Sequence, residues 1–570
     1  MYGVVLQRAE GGSTWWTPGC DALASHAGQG ALVRAVVVAP QPRAAEVGAQ
    51  VLEAGGNVVD AAIATAFMQM AVDPFNCGIG GMGTCQVLLT AEGEHRQVDF
   101  HSRAGSRVTA DMWAKDLRGH TPISGYSVFE DFRSEMGYTS IMVPGTPAGL
   151  DELRQRYATM PLGELMGPAI RALREGFPVP AYLAGQLQRT PQPGIPDSSR
   201  RVRATDACAR IYLKADGTLP TLGDTLRNPD MADVFEQISR AGLHDFYGGA
   251  LAARMADDLA KNGSFITTRD LQAYTARVGR PVFGSYRGYT VASNPPPGGG
   301  AVVIEMLHIL EGFELGRLEH SGVEHLHLLA TAMRLAHMDR NAYMGDPDFV
   351  GVPLEEVFLS DRHARRHQEA IRSGEGPEVQ MPGERDSTTH LVVMDCKGNT
   401  VTMTHTLGSA SGVVTPGLGF IYNNSMKLAD PVPGRPNSFA PGKARNTGMC
   451  PTIVLRDGVP VLAAGAPGGS VIISAVLQAL CNSIDWGMGP VEAVSAPRVH
   501  TEGQKVYVEA RVRSDVCREL ANLGHQVEHR LEGYAHDLSR AQLARLDENG
   551  KVEGGSDPRG DGGGVAYART

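Results

Sequence analysis

The apolar positions change their period along the chain. From Pro40, the residues Ala44, Val47, Val51 and Leu52 recur at helical spacing until Gly55-Gly56 stops the pattern. A second apolar helix is predicted over Val58 to Val72, where the run AAIATAF offers small residues for close packing. A glycine-rich stretch, Cys77 to Gly83, separates it from a strand-like run over Cys85 to Leu89. Residues 147–370 carry mainly helical patterns, among them Ala148 to Arg156, Leu165 to Glu175 and Val323 to His337. Irregular backbone is required at Pro295 to Gly300. Gly374 to Asp386 is rich in glycine, proline and charge, which predicts an exposed linker of the kind that tolerates cleavage. Beyond it the period shortens to two. His390 to Met394 and Thr400 to Leu407 form a hairpin pattern around Asp395 to Asn399. Ile453 to Leu455 and Val459 to Ala464 form another around Asp457-Gly458, and a third pair flanks Asn549-Gly550. Helical patterns over Ile472 to Ile484 and Val512 to Leu523 lie between the strands. Antiparallel strands with separate helices predict an α+β fold, a layered αββα sandwich and not a parallel doubly wound sheet.

Composition narrows the function classes. The 570 residues are 42% hydrophobic and 20% charged, ordinary for a large globular core. The net charge of -10 and the sparse aromatics, 6%, argue against a nucleic-acid surface or an anionic membrane as partner. The eight cysteines are scattered without metal-type spacing and are expected to be reduced and mostly buried. The stretch before about Val33 reads as an irregular arm, without the basic segment and apolar run of a signal peptide, so a cytoplasmic location is expected.

The candidate chemistry lies in Asp386-Ser-Thr-Thr-His390. A threonine hydroxyl is a weak nucleophile until a base sits beside it, and a free α-amine on the same residue is such a base. Cleavage between Ser387 and Thr388 would create nucleophile and base together at the start of a strand.

The surrounding motifs give this threonine a context. Thr388-Thr389-His390, Gly398-Asn399, Thr404-His-Thr406-Leu407, Asn423-Asn424-Ser-Met426, Pro451-Thr452 and Gly465-Ala-Pro-Gly-Gly-Ser470 follow one another in order. Upstream stand Ala54-Gly-Gly-Asn57, Val59-Asp-Ala-Ala62, Val143-Pro-Gly145, Asp245-Phe-Tyr247, Asp339-Arg340 and Gly345-Asp-Pro347. In this order and register the chain resembles the gamma-glutamyltranspeptidase family of N-terminal nucleophile hydrolases. The resemblance implies self-cleavage into a large segment, 1–387, and a small one, 388–570, intertwined in one domain. It implies Thr388 as nucleophile, Thr406 as its orienting partner, and the N–H groups near Gly468 and Gly469 as the oxyanion hole. It implies a small-molecule amide as substrate, no cofactor, and a possible oligomer of heterodimers.

The departures from the family's pattern bear on the substrate. An arginine that holds the substrate carboxylate is replaced by His101, with Arg103 two residues on. Gly408 and Ser425 stand where the family has asparagine and glutamine, and Thr447 and Gly448 where it has paired serines. Leu428 replaces the aspartate that holds the α-amine, with Asp430 nearby, and the lid loop is shortened to residues 431–446. A zwitterionic head group without its charged partners is costly to bury, so free glutathione is predicted to fit poorly. The alternatives are a γ-glutamyl hydrolase or transferase whose grips have moved to Arg103 and Asp430, and a non-catalytic binding protein descended from the family. The same nucleophile could also attack a carbonyl with cleavage of a carbon–carbon bond. Gly78 to Gly83 precedes a strand and does not open a helix, the wrong context for a dinucleotide loop. His363 and His367 lie among arginines and are read as a solvated helix face, and His320, His325 and His327 as surface or packing histidines.

Overall fold

The computed structural model describes residues 33–121, 126–190, 193–374 and 388–569. Two antiparallel sheets face each other. The first contains strands β1 (Val33–Val38), β2 (Met82–Leu89), β3 (Glu94–Phe100), β4 (Arg277–Gly279), β7 (Thr389–Asp395), β8 (Thr400–Thr406) and β13 (Val565–Arg569). The second contains β5 (Val282–Tyr286), β6 (Tyr289–Ser293), β9 (Thr452–Arg456), β10 (Val459–Gly465), β11 (Gln542–Leu546) and β12 (Val552–Ser556). The spatial orders are β13-β1-β7-β8-β2-β3-β4 and β12-β11-β10-β9-β6-β5. Both sheets therefore interleave strands from either side of position 388.

Alternation along the strands explains the layers. Val36, Val38, Val392 and Met394 pack with Ile453, Leu455 and Ala463 between the sheets. Their odd-numbered neighbours Val37, Leu391 and Val393 face the helices α1 (Pro42–Glu53) and α2 (Val58–Val72) on the outside of the first sheet. Val454, Leu462 and Ala464 face outward from the second sheet onto α3 (Gly300–Leu310), α4 (Val323–Tyr343) and α6 (Val471–Asp485). The result is the αββα sandwich expected from the sequence, with strands that are apolar on both faces because both faces are covered. No helix of the described residues is long and apolar enough to cross a membrane.

α2 matches its predicted span to the residue. Asn57 caps it by accepting from the Val59 and Asp60 N–H groups, and the Asp60 carboxylate accepts from the Asn57 N–H. The three predicted hairpins are present. Strands β1, β3, β4, β5, β6 and β13 were not predicted. β3, Glu94–Phe100, opens with four consecutive polar residues, a pattern that also suits a loop, and only pairing with β2 makes it a strand. One expectation needs correction: Cys396 is disulfide-bonded. The other six described cysteines are free and buried, as expected.

Candidate active site

The polar end of the inter-sheet layer begins where β7 and β8 start and finish. In their register Thr404 lies opposite His390 and His405 opposite Thr389, so Thr406 lies opposite Thr388 one step further on. Period-two alternation turns the even-numbered side chains of both strands toward the second sheet. His390 shows this directly, since a Cβ at Gly465 of β10 would come within 2.0 Å of its ring. Only glycine permits that approach. Thr388 and Thr406 share the same face, and their hydroxyl oxygens are 3.2 Å apart, with Thr388 donating. The Thr406 hydroxyl also accepts the Gly408 N–H at 2.8 Å. Thr388 is 2% exposed in the intact chain.

The first residues of β7 are pinned from three sides. Arg540 donates to the Thr388 carbonyl at 2.9 Å, and its guanidinium lies over the Tyr182 ring. Gln69 of α2 donates to the Thr389 hydroxyl and to the His390 carbonyl, and accepts from His405. Gln41 donates to the Thr389 hydroxyl and to Asp73. Burial pushes the Asp73 carboxyl up to about 6, against the pull of Arg540 and its hydrogen bonds from Asn76 and Gln41. Burial also pushes His390 and His405 down to about 3, so both rings are neutral near pH 7. His390 bridges the hydroxyls of Thr404 and Thr402.

On the facing side, β10 ends in Pro467-Gly468-Gly469 before α6. Gly468 and Gly469 have φ of 137° and 71°, values that disfavour any residue with a Cβ. The tight loop stands at the N-terminus of α6, where the helix dipole favours negative charge. It is fixed to the Thr388 side by neighbouring residues. The Ser539 hydroxyl donates to the Pro467 carbonyl, and the next residue, Arg540, holds Thr388. Gly448 packs beneath: a Cβ there would meet the Gly469 carbonyl oxygen at 2.1 Å.

A cavity of about 370 Å³ opens beside the loop, with Gly468, Ser409, Lys427, Arg201, Arg540 and Tyr126 in its wall. Lys427 donates to the Ser409 hydroxyl at 2.5 Å, stands over the Tyr126 ring, and lies 3.9 Å from Glu135, which Arg201 also faces at 3.3 Å. Two cations thus share one carboxylate at the wall.

A model of the family described as gamma-glutamyltranspeptidase matches residues 44–567. The chain belongs to the gamma-glutamyltranspeptidase family. It is 36% identical over 503 residues to the acylase ACY 1 proenzyme of Pseudomonas sp. strain V22, covering 87% of each chain. It is 32% identical over 553 residues to the glutathione hydrolase proenzyme of Bacillus subtilis strain 168, covering 92% of this chain and 90% of that one. The cephalosporin acylase of Bacillus halodurans superposes with a TM-score of 0.82 at 29% identity, covering 95% of this chain and 97% of that one. The protein is accordingly an enzyme of this N-terminal nucleophile hydrolase and acyltransferase class.

Of the residues singled out from sequence, the structure joins Thr388, Thr406 and Gly408 in one hydrogen-bonded group and packs Gly448 against Gly469 in another, while Gly468 lines the cavity. His101 is level with Met82 and Thr406 at the same end of the sheet, but its ring is buried against Asp99 at 2.5 Å. The Arg103 guanidinium lies over Tyr274, 5.5 Å from the ring centre. The Ser425 hydroxyl faces the Met82 sulfur, and the Thr447 hydroxyl accepts the Met449 N–H. Asp430 is taken up by Arg435 at 3.0 Å. Ser387 lies outside the described residues. Sequence reasoning missed Lys427, Arg540 and Gln69. Lys427 carried a signal, a charge adjoining the Asn-Asn-x-Met motif, whereas Arg540 and Gln69 are linked to Thr388 and Thr389 only through the fold.

Proposed function

We propose that the chain cleaves itself between Ser387 and Thr388, and that mature Thr388 then hydrolyses or transfers the acyl group of a small amide. In the first step the Thr388 hydroxyl oxygen attacks the carbonyl of residue 387, the C–N bond breaks, and water hydrolyses the resulting ester. The freed α-amine then takes the hydroxyl proton when substrate is attacked, and returns it to the leaving amine. The Thr406 hydroxyl orients Thr388, and the N–H groups at Gly468 and Gly469 receive the oxyanion. Removing one such donor costs about 2.7–4 kcal/mol of transition-state stabilisation in a measured protease. The observation that carries the reading is the 3.2 Å contact between the two threonine hydroxyls on the strand face that turns toward the second sheet.

The proposed acyl group is not γ-glutamyl. Leu428 is buried where the family has its amine-binding aspartate, and His101 is committed to Asp99. Lys427 on the cavity wall suits a carboxylate at the far end of the acyl chain. Purified protein is expected to run as two fragments on a denaturing gel, the lighter one beginning at Thr388 by N-terminal sequencing. A Thr388→Ala chain still cut at that bond contradicts the assignment. Glutaryl, γ-glutamyl and neutral acyl p-nitroanilides then test the acyl group, and preferred turnover of the γ-glutamyl compound overturns the non-glutamyl reading.

A further inference from the structure

The helical layer over the second sheet holds a second constellation, on elements other than those that carry Thr388. One of its helices is α5 (Asp361–Ser373), which carries His363 and His367 one turn apart on one face. Against that face stand Glu305 of α3 and Asp339 of α4. The reading of His363 and His367 as a solvated helix face is therefore corrected. The side chain of His367 is 10% exposed and that of His363 20%, because the stripe that carries them packs onto α3 and α4. The imidazole Nε2 atoms of His363 and His367 lie 2.7 and 3.0 Å from the same Asp339 oxygen, and each lies 3.8 Å from one Glu305 oxygen. Four ligand atoms, one from each residue, fall within 4.8 Å of one another.

We propose that Glu305, Asp339, His363 and His367 form a binding site for one divalent transition-metal ion, with zinc the best match. Two neutral imidazoles and two carboxylates make a closed four-donor set of the hardness that zinc accepts. Bonds of about 2.0–2.2 Å in a tetrahedron separate neighbouring donors by roughly 3.3–3.6 Å, a spacing the observed 2.7–3.8 Å brackets. Electrostatics points the same way. The Glu305 side chain is 1% exposed, neither of its oxygens meets an N–H donor, and its carboxyl faces Asp339. Two buried carboxylates facing each other need either a cation or a shared proton. A divalent ion would replace that proton, neutralise both carboxylates and tie α5 to α3 and α4. With four protein donors and no open position, its role is structural.

The test uses the full chain without a histidine tag, stripped with chelator and then titrated with ZnCl2 by calorimetry. The expected result is one site per chain and a higher thermal midpoint with zinc. In a His363→Gln/His367→Gln chain the affinity should fall by more than the ~10–100-fold that loss of an outer-shell partner costs. CoCl2 should give the wild-type chain the strong visible absorption of a tetrahedral nitrogen- and oxygen-ligated ion, a readout that stands even if the double variant fails to fold. No zinc heat and no cobalt spectrum in the wild-type chain would overturn the site in favour of a shared proton. Equal binding by a folded double variant would overturn it by placing the metal elsewhere.

Discussion

The two ends of the layer between the sheets are built by the same strands and differ only in what those strands carry. At one end Val392 and Met394 of β7 meet Ile453 and Ala463 in a dry core. At the other, two to six residues back along β7, the same inward face carries His390 and Thr388 opposite Thr404 and Thr406. Backbone geometry is shared, so the difference is one of polarity and of how it is satisfied. Every inward hydroxyl or ring at the polar end has a named partner, and Gly465 is missing a side chain so that His390 can fit. The apolar end supplies rigidity, and the polar end uses it to hold two hydroxyls 3.2 Å apart.

The sharpest way to break this comparison is Thr388→Ala, which should abolish self-cleavage and lower turnover by about 10⁴-fold or more while leaving the thermal midpoint nearly unchanged. A variant that kept its activity would show that the polar end is not the reacting end. Gly468→Ala should come next. The added Cβ strains a φ of 137° and shifts the adjoining N–H, so kcat should fall by about 10²–10³-fold, with KM changed less.

At the apolar end Val392→Ala should act oppositely. It leaves a void between the sheets and should cost roughly 2 kcal/mol in denaturant unfolding, with self-cleavage retained. Loss of cleavage at full stability would dissolve the division of labour.

The smallest effect is a pH slope. His390 and His405 are depressed from 6.5 to about 3, so unfolding releases them to bind protons below about pH 6.5. Their contribution to stability is complete above that pH and is lost as the pH falls, at about 1.4 kcal/mol per histidine per pH unit. Asp73 has the opposite sign, because a carboxyl raised to about 6 loses stability as the pH rises from about 4 to 6. Replacing His390 by glutamine should flatten the acid limb of a stability-against-pH curve; an unchanged limb would mean that other groups set it.

Much of this was legible in one dimension, and what was not has a common cause. The hairpins announced themselves through Asp457-Gly458 and Asn549-Gly550, and α2 through an unbroken apolar run behind Asn57. Thr388, Thr406 and the glycine pair were legible because each sits in a local motif. Arg540 carries no such mark, since 152 residues separate it from the carbonyl it holds. The cluster of Glu305, Asp339, His363 and His367 was misread for the same reason. Its two histidines lie among arginines that do face solvent, and only the packing of three helices buries the stripe between them.

The sequence by itself determined the αββα class and the family, and it marked the threonine on which the proposed cleavage rests. Those properties follow from periodicity and short-range chemistry, which neighbours along the chain are sufficient to express. Tertiary structure alone decided which buried charges meet, that Arg540 and Gln69 fix the first residues of β7, and that Lys427 forms part of the cavity wall. Such pairings depend on distances set when sheets and helices close on one another, and no spacing within a single segment encodes them.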